Sequence, residues 1–145
     1  ELMDSLNKIG RYTLTKEELA SIHEDFDATY ATDSECKEYI ARYYEEEGYI
    51  IDPHTATCIK AYEQKTPKEL KSIIYSTAEW TKFSTTVAQA LGEEGIESDT
   101  KALEWIVNNT SQIVPPMIEG LFGKEIKHPI VVNEDGIKGE IVKFL

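Results

Sequence analysis

Tyr49-Ile50-Ile51-Asp52-Pro53-His54-Thr55-Ala56 is the stretch on which the fold turns. A short apolar, β-favouring run meets Asp-Pro, and proline lacks the amide that a sheet interior uses while suiting the first turn of a helix. The pattern predicts a strand ending at Ile51 and a helix from Pro53 to Gln64. Ile74-Tyr75-Ser76-Thr77-Ala78-Glu79-Trp80-Thr81-Lys82-Phe83 repeats the arrangement, with Ser72–Ser76 as a second buried-looking strand. A helix over Thr81–Leu91 follows, carrying Phe83, Val87 and Leu91 on one stripe. Strand, helix, strand, helix predicts the α/β class: short parallel strands in a right-handed crossover, flanked by helices, with ligands gathering at the carboxyl ends of the strands.

Upstream of this block, Thr15-Lys16-Glu17-Glu18 has the form of a capping box and predicts a helix from Lys16 to Glu24, with Leu19, Ile22 and Phe26 inward. Cys36, Tyr39, Ile40, Tyr43 and Tyr44 recur at helical spacing behind a cap at Asp33 or Ser34, and Gly48 is placed to stop the helix, giving Ser34–Glu47. Downstream, Gly92-Glu93-Glu94-Gly95 reads as a loop. Asp99 is placed to cap a helix burying Leu103, Ile106 and Val107, and Pro115-Pro116 can open another short one. The tail, Ile130-Val131-Val132, then Asn133-Glu134-Asp135-Gly136, then Gly139–Phe144, predicts a C-terminal hairpin.

The chain has 145 residues, 41% hydrophobic and 10% aromatic, enough for one domain with a core. Asp+Glu number 27 against 15 Lys+Arg, a net charge of -12. Nucleic acid and anionic membranes both require a basic footprint, so neither is expected as a partner. No apolar window reaches the ~20 residues of a membrane span, no secretory leader is visible, and Cys36 and Cys58 form neither a CxxC pair nor a disulfide framework. A reducing, cytoplasmic setting is the expectation. Glu1 in place of Met leaves room for a longer polypeptide.

Several familiar constellations fail on inspection. Asp25, Asp27, Thr29 and Asp33 imitate the early positions of a calcium loop, but Tyr30 stands where glycine is needed and Cys36 where the bidentate Glu belongs. His23, His54 and His128 are scattered, and there is no glycine-rich phosphate loop and no Gly-x-Ser-x-Gly elbow. Two segments remain, around Asp52 and around Ser76, each where a strand is expected to give way to a helix. Small hydroxyl residues and alanine there let the backbone approach a ligand and aim free amides at it. Asp52, Ser76 and Thr77 read equally well as ordinary helix caps, and local pattern leaves both possibilities open.

Asp52-Pro53-His54-Thr55-Ala56, together with Ser76-Thr77-Ala78 and Lys82-Phe83, resembles threonine synthase, a pyridoxal-phosphate enzyme of fold type II. Gly10-Arg11-Tyr12 and the capped helix after it resemble the stretch preceding these motifs in that family. The resemblance spans residues 1–91, within a single segment of 1–145 whose remainder, 92–145, is expected to be a helical extension and the hairpin. It corresponds to the C-terminal third of a full-length member. It implies conversion of O-phospho-L-homoserine and water to L-threonine and phosphate, with pyridoxal phosphate held mainly by an N-terminal portion that would be the chain's partner. The Schiff-base lysine and phosphate loops belong to that portion, so the segment alone is expected to be inactive, and Lys82 belongs to the wrong motif to replace the lysine.

The resemblance also implies that Thr77 hydrogen-bonds the cofactor's pyridine nitrogen, with Ser76 as the fallback, and that Asp52, His54 and Thr55 line or brace the cleft. His54 would meet substrate phosphate only when protonated. Glu79-Trp80 departs from the His-Pro of many members. Excised from a larger domain, the segment is expected to associate or lose stability through uncovered apolar faces. Two alternatives stand beside this assignment: an acidic protein-binding module presenting Tyr39, Tyr43 and Tyr44, and a threonine or serine dehydratase, whose members lack the Asp-Pro-His-Thr-Ala form.

Overall fold

The computed structural model describes residues 1–65 and 71–145. It divides into two compact units, Glu1–Ile113 and Val114–Leu145. In the first, α1 (Leu2–Ile9) ends at Gly10 in the left-handed region, φ 73°. The expected capping box opens α2 (Lys16–Asp25): the Glu18 amide donates to Thr15 Oγ1 at 3.1 Å and the Thr15 amide to Glu18 Oε2 at 2.8 Å. A second box, Thr32-Asp33-Ser34-Glu35, starts α3 (Asp33–Glu47), so the cap is Thr32 rather than Asp33 or Ser34. Glutamate three residues on lets Thr32 satisfy two end groups reciprocally, which neither alternative offers. Gly48 closes α3 at φ 67°, its amide donating to the Tyr44 carbonyl.

After α4 (Pro53–Lys65) the expected helix over Thr81–Leu91 splits into a 3-10 turn, Trp80–Phe83, and α5 (Ser84–Ala90). α6 (Asp99–Asn109) has Ser98 at its N-cap position, and the carboxylate of Asp99 accepts from Ser84 Oγ at 2.9 Å. α3 packs on α4 and α5, and α5 packs on α6. The core cluster is Cys36, Ile40, Ile51, Ala56 and Ile59, with Tyr39 and Tyr43 laid against it. Those tyrosines therefore serve the interior, and Tyr39 donates its hydroxyl to Glu63 at 2.8 Å. Ile40, Val87 and Ile106 are fully buried, each worth about 1.5–3 kcal/mol of transfer free energy. Lys60 is buried too, its ammonium 2.6 Å from Glu35 and over the Tyr30 ring.

The expected α/β sheet is overturned: among the described residues there is no strand. Ile50 and Ile51 are buried as an apolar run should be, but in irregular backbone leading into α4. Ser72–Ser76 is exposed rather than buried, with Ile73 and Tyr75 both more than three-quarters accessible. Apolar and β-branched composition favours a pleated, half-covered surface only where another strand supplies the ladder. Leu19 and Ile22 of α2 and Phe26 just after it are likewise exposed, and Val107 faces out of α6 while Leu103 and Ile106 are buried.

In the second unit, α7 (Pro116–Glu119) starts at the diproline as expected. The hairpin does not form. Asn133–Gly136 does turn, the Gly136 amide donating to the Asn133 carbonyl at 2.8 Å, but as a 3-10 turn, Glu134–Gly136, that runs into α8 (Ile137–Phe144). Ile137 and Ile141 stand four apart, a helical rather than alternating spacing, and Lys143 pairs with Glu140 three residues away. No helix among the described residues is long and apolar enough to cross a membrane.

Candidate functional site

The first turn of α4 makes the site. Asp52 is its N-cap: the Asp52 carbonyl accepts the first helical bond, from the Ala56 amide, and Oδ1 accepts from the His54 amide at 2.9 Å. Pro53 at the first helical position has no amide to leave unsatisfied. The carboxylate is buried, and both of its oxygens have hydrogen-bond partners. His54 Nδ1 lies 3.0 Å from Oδ1, the Thr55 hydroxyl donates to Oδ2, and Ser76 Oγ stands 3.4 Å from the same oxygen.

Burial pushes the Asp52 carboxyl up, and the hydrogen bonds from the Thr55 hydroxyl, the His54 amide and ring and the Thr55 amide outweigh it, so the group lies below its ordinary value. An ionised carboxylate only accepts, which places a proton on Nδ1 of His54. The imidazole is largely exposed and its ring centroid is 5.0 Å from that of Phe83.

Thr55 and Ser76 hydroxyls are 3.1 Å apart. Since Thr55 gives its single proton to Asp52, the acceptors open to the Ser76 hydroxyl are Thr55 Oγ1 at 3.1 Å, the Ala78 carbonyl at 3.3 Å and Asp52 Oδ2 at 3.4 Å. The structure thus brings together four of the five expected residues: Asp52, His54, Thr55 and Ser76. Thr77 stands apart from this network. It is exposed, forms no hydrogen bond among the described residues, and lines an open groove of ≈ 750 Å³ with Thr57, Cys58, Tyr62 and Tyr75.

Sequence reasoning did not pick out that α4 face. Thr57, Ala61 and Lys65 follow one another at four-residue spacing, the signal that could have found it. Nor did it pair Phe83 with His54. Among the described residues no group of three His, Cys, Asp or Glu side chains could hold a metal ion.

Residues 55–139 match the family described as threonine synthase, C-terminal. This chain belongs to the threonine synthase C-terminal family. It is 30% identical over 121 residues to threonine synthase-like 1 of Homo sapiens, covering 83% of this chain and 16% of that protein. With threonine synthase of Schizosaccharomyces pombe it shares 30% identity over 127 residues, 85% of this chain and 23% of that one. The crystal structure of PLP bound threonine synthase from Brucella melitensis superposes with a TM-score of 0.58 at 27% identity, over 74% of this chain and 22% of that chain. The chain spans 13% to 23% of the length of the curated relatives it matches. Within the threonine synthase C-terminal match lie Thr55, Ser76 and Thr77, while Asp52 and His54 immediately precede it.

Proposed function

We propose that this chain works as the C-terminal part of a cytoplasmic threonine synthase, a pyridoxal-phosphate-dependent lyase that converts O-phospho-L-homoserine and water to L-threonine and phosphate. Its partner is the remainder of the enzyme, which supplies the Schiff-base lysine and most of the cofactor's contacts. Neither nucleic acid nor membrane takes part, in keeping with the net charge of -12. When bound, pyridoxal phosphate supplies the electron sink of the reaction.

The observation that carries this reading is the contrast between two adjacent hydroxyls. Ser76 is committed: it faces a buried carboxylate and the Thr55 hydroxyl, and its proton is spoken for. Thr77, next to it, is exposed with a donor that meets nothing among the described residues. A neutral hydroxyl suits a pyridine nitrogen, because it donates without giving up its proton and so tunes the ring as a weaker sink than a carboxylate partner would. The residues present therefore fit the cofactor, with Thr77 as the donor to the ring nitrogen and Ser76 holding the turn beside it. Asp52, His54 and Thr55 form the wall behind them.

The test uses the full-length protein containing this chain. Wild type should release phosphate from O-phospho-L-homoserine and form threonine, and Thr77→Val should change the cofactor's absorption spectrum and depress turnover. Absence of phosphate release, or a Thr77→Val enzyme indistinguishable from wild type in both respects, overturns the assignment. The 145-residue chain alone should release none.

A further inference from the structure

Residues 71–78 carry Thr77, and this segment has almost nothing to hold it. Among the described residues no backbone hydrogen bond ties it to its surroundings, and the hydrogen bonds it makes all belong to the Ser76 side chain. That side chain reaches the first turn of α4, a structured element whose N-cap, Asp52, is buried and fixed by its own bonds to Thr55 and His54. Its apolar side chains only line grooves: Ile74 borders one of ≈ 400 Å³ with Ile51 and Ile59, and Ile73, Ile74 and Tyr75 border the one along α4. Apolar contact is non-directional and sets no hydroxyl to a particular point, whereas a hydrogen bond to an ionised group does.

We propose that Asp52 is a positioning residue, its buried carboxylate fixing through Ser76 and Thr55 the place of the neighbouring Thr77 hydroxyl. This rests on the reading of Thr77 as the donor to the cofactor ring. Asp52 touches neither cofactor nor substrate in this account. It acts through the backbone of the Ser76–Thr77 dipeptide, so its removal should appear where Thr77 acts. The carboxylate serves twice: the oxygen that caps α4 ties the helix start down, and the other collects Thr55 and Ser76.

The experiment compares Ser76→Ala, Ser76→Thr, Asp52→Asn and Thr77→Val in the full-length protein. It records the absorption spectrum of the bound cofactor without substrate, the affinity of the apoprotein for pyridoxal phosphate, and the melting temperature. Ser76→Ala should shift the spectrum in the direction of Thr77→Val and weaken cofactor binding about three- to tenfold, as expected for losing a hydrogen bond of ordinary strength. Because Ser76 is exposed, its melting temperature should stay at the wild-type value, and Ser76→Thr, which keeps the hydroxyl, should restore the spectrum.

Asparagine is as good an N-cap as aspartate, so Asp52→Asn should fold, show the same spectral shift, and leave Ser76→Ala without further effect in the double variant. Fully additive effects, or a wild-type spectrum in Ser76→Ala when Thr77→Val is altered, overturn the positioning role and leave the reading of Thr77 standing. A wild-type spectrum in Thr77→Val brings down that reading, and this inference with it. Should Asp52→Asn fail to fold, the exposed Ser76→Ala and Ser76→Thr pair decides.

Discussion

Replacing Asp52 with alanine removes an N-cap and strands a buried hydroxyl at once, and the two costs can be worked separately. Loss of a capping side chain costs about 1 kcal/mol, within a range of roughly 0.5–2. The Thr55 hydroxyl, buried and bonded to Asp52, loses its charged acceptor, which adds about 1–3 kcal/mol for an unsatisfied buried group. Asp52→Ala should therefore lose about 2–4 kcal/mol, a large part of the ~5–15 kcal/mol that holds an ordinary domain folded. Asp52→Asn keeps one oxygen, for the His54 amide, and puts an amide NH2 where the Thr55 hydroxyl now donates; the hydroxyl can turn to accept from it, so the loss should be about 1–2 kcal/mol.

The pH dependence gives a second reading of the same group. Its folded value lies below the ordinary 3.8, so it contributes stability that is complete above 3.8 and is lost as the pH falls through the depressed folded value. The difference between wild type and Asp52→Ala should be level from pH 7 to about 5 and shrink below about 4. Urea unfolding at fixed protein concentration, followed by far-UV circular dichroism at each pH, measures it. Wild type and Asp52→Ala agreeing within about 0.5 kcal/mol at pH 7 would sink the account of the site, since that is the scatter of an ordinary surface substitution.

Glu35, held down to about 2 by Lys60 and by the Thr32 amide and hydroxyl, contributes stability present above its ordinary 4.5 and lost between 4.5 and about 2. In Glu35→Gln, the acid limb of the melting-temperature profile should be shallower over that interval. Gly48→Ala forces a side chain into φ 67° at the end of α3 with open space around it, so strain alone should cost about 1 kcal/mol, read by the urea midpoint. Cys58 is exposed and Cys36 buried, so under native conditions Ellman's reagent should titrate one thiol quickly and the second only on unfolding. With Ile9, Phe26 and Val131 largely exposed, the isolated chain should show a sedimentation coefficient that rises with concentration; a constant monomeric value counts against uncovered apolar faces.

What could be read ahead of the structure was local. The box at Thr15 and Glu18, the stop at Gly48, the proline opening α4 and the diproline opening α7 each depend on groups within four residues, and each is in place. The second box was written just as plainly in Thr32-Asp33-Ser34-Glu35, yet Asp33 and Ser34 compete for the same role by residue type, and only the glutamate three positions on decides between them. Strands were another matter, because a strand is a relation between two segments. Ile50-Ile51 advertises burial without saying whether a ladder or a helix start provides it, and Ile73-Ile74-Tyr75 has the composition of a strand with no partner among the described residues. At Asn133–Gly136 the turn was legible and its continuation was not, since Ile137 and Ile141 fit a helix while Ile141-Val142 also fits an extended arm.

The site shows the same division one level up. Asp52, His54 and Thr55 are adjacent in sequence, and capping chemistry alone brings the two that follow onto the carboxylate. Ser76 lies 24 positions from Asp52, and its arrival there is tertiary. The choice between helix cap and partner of a distant hydroxyl was undecidable locally because the Asp52 carboxylate does both. One carboxylate oxygen closes the first turn of α4 and the other collects the hydroxyls of Thr55 and Ser76. Capping pays for the burial of the charge by filling the near side with backbone and ring donors. A buried carboxylate so supplied stays ionised, and only an ionised carboxylate offers a charged acceptor for a hydroxyl brought in from elsewhere in the chain. A cap with no second partner would have been solvent-facing, and a second partner without the cap would have met a carboxyl driven to its neutral form. Both conditions are met where Ser76 arrives 24 positions along the chain, so a helix-start motif and a distant hydroxyl share one buried carboxylate, and the proposed place of Thr77 beside Ser76 stands or falls with that shared acceptor.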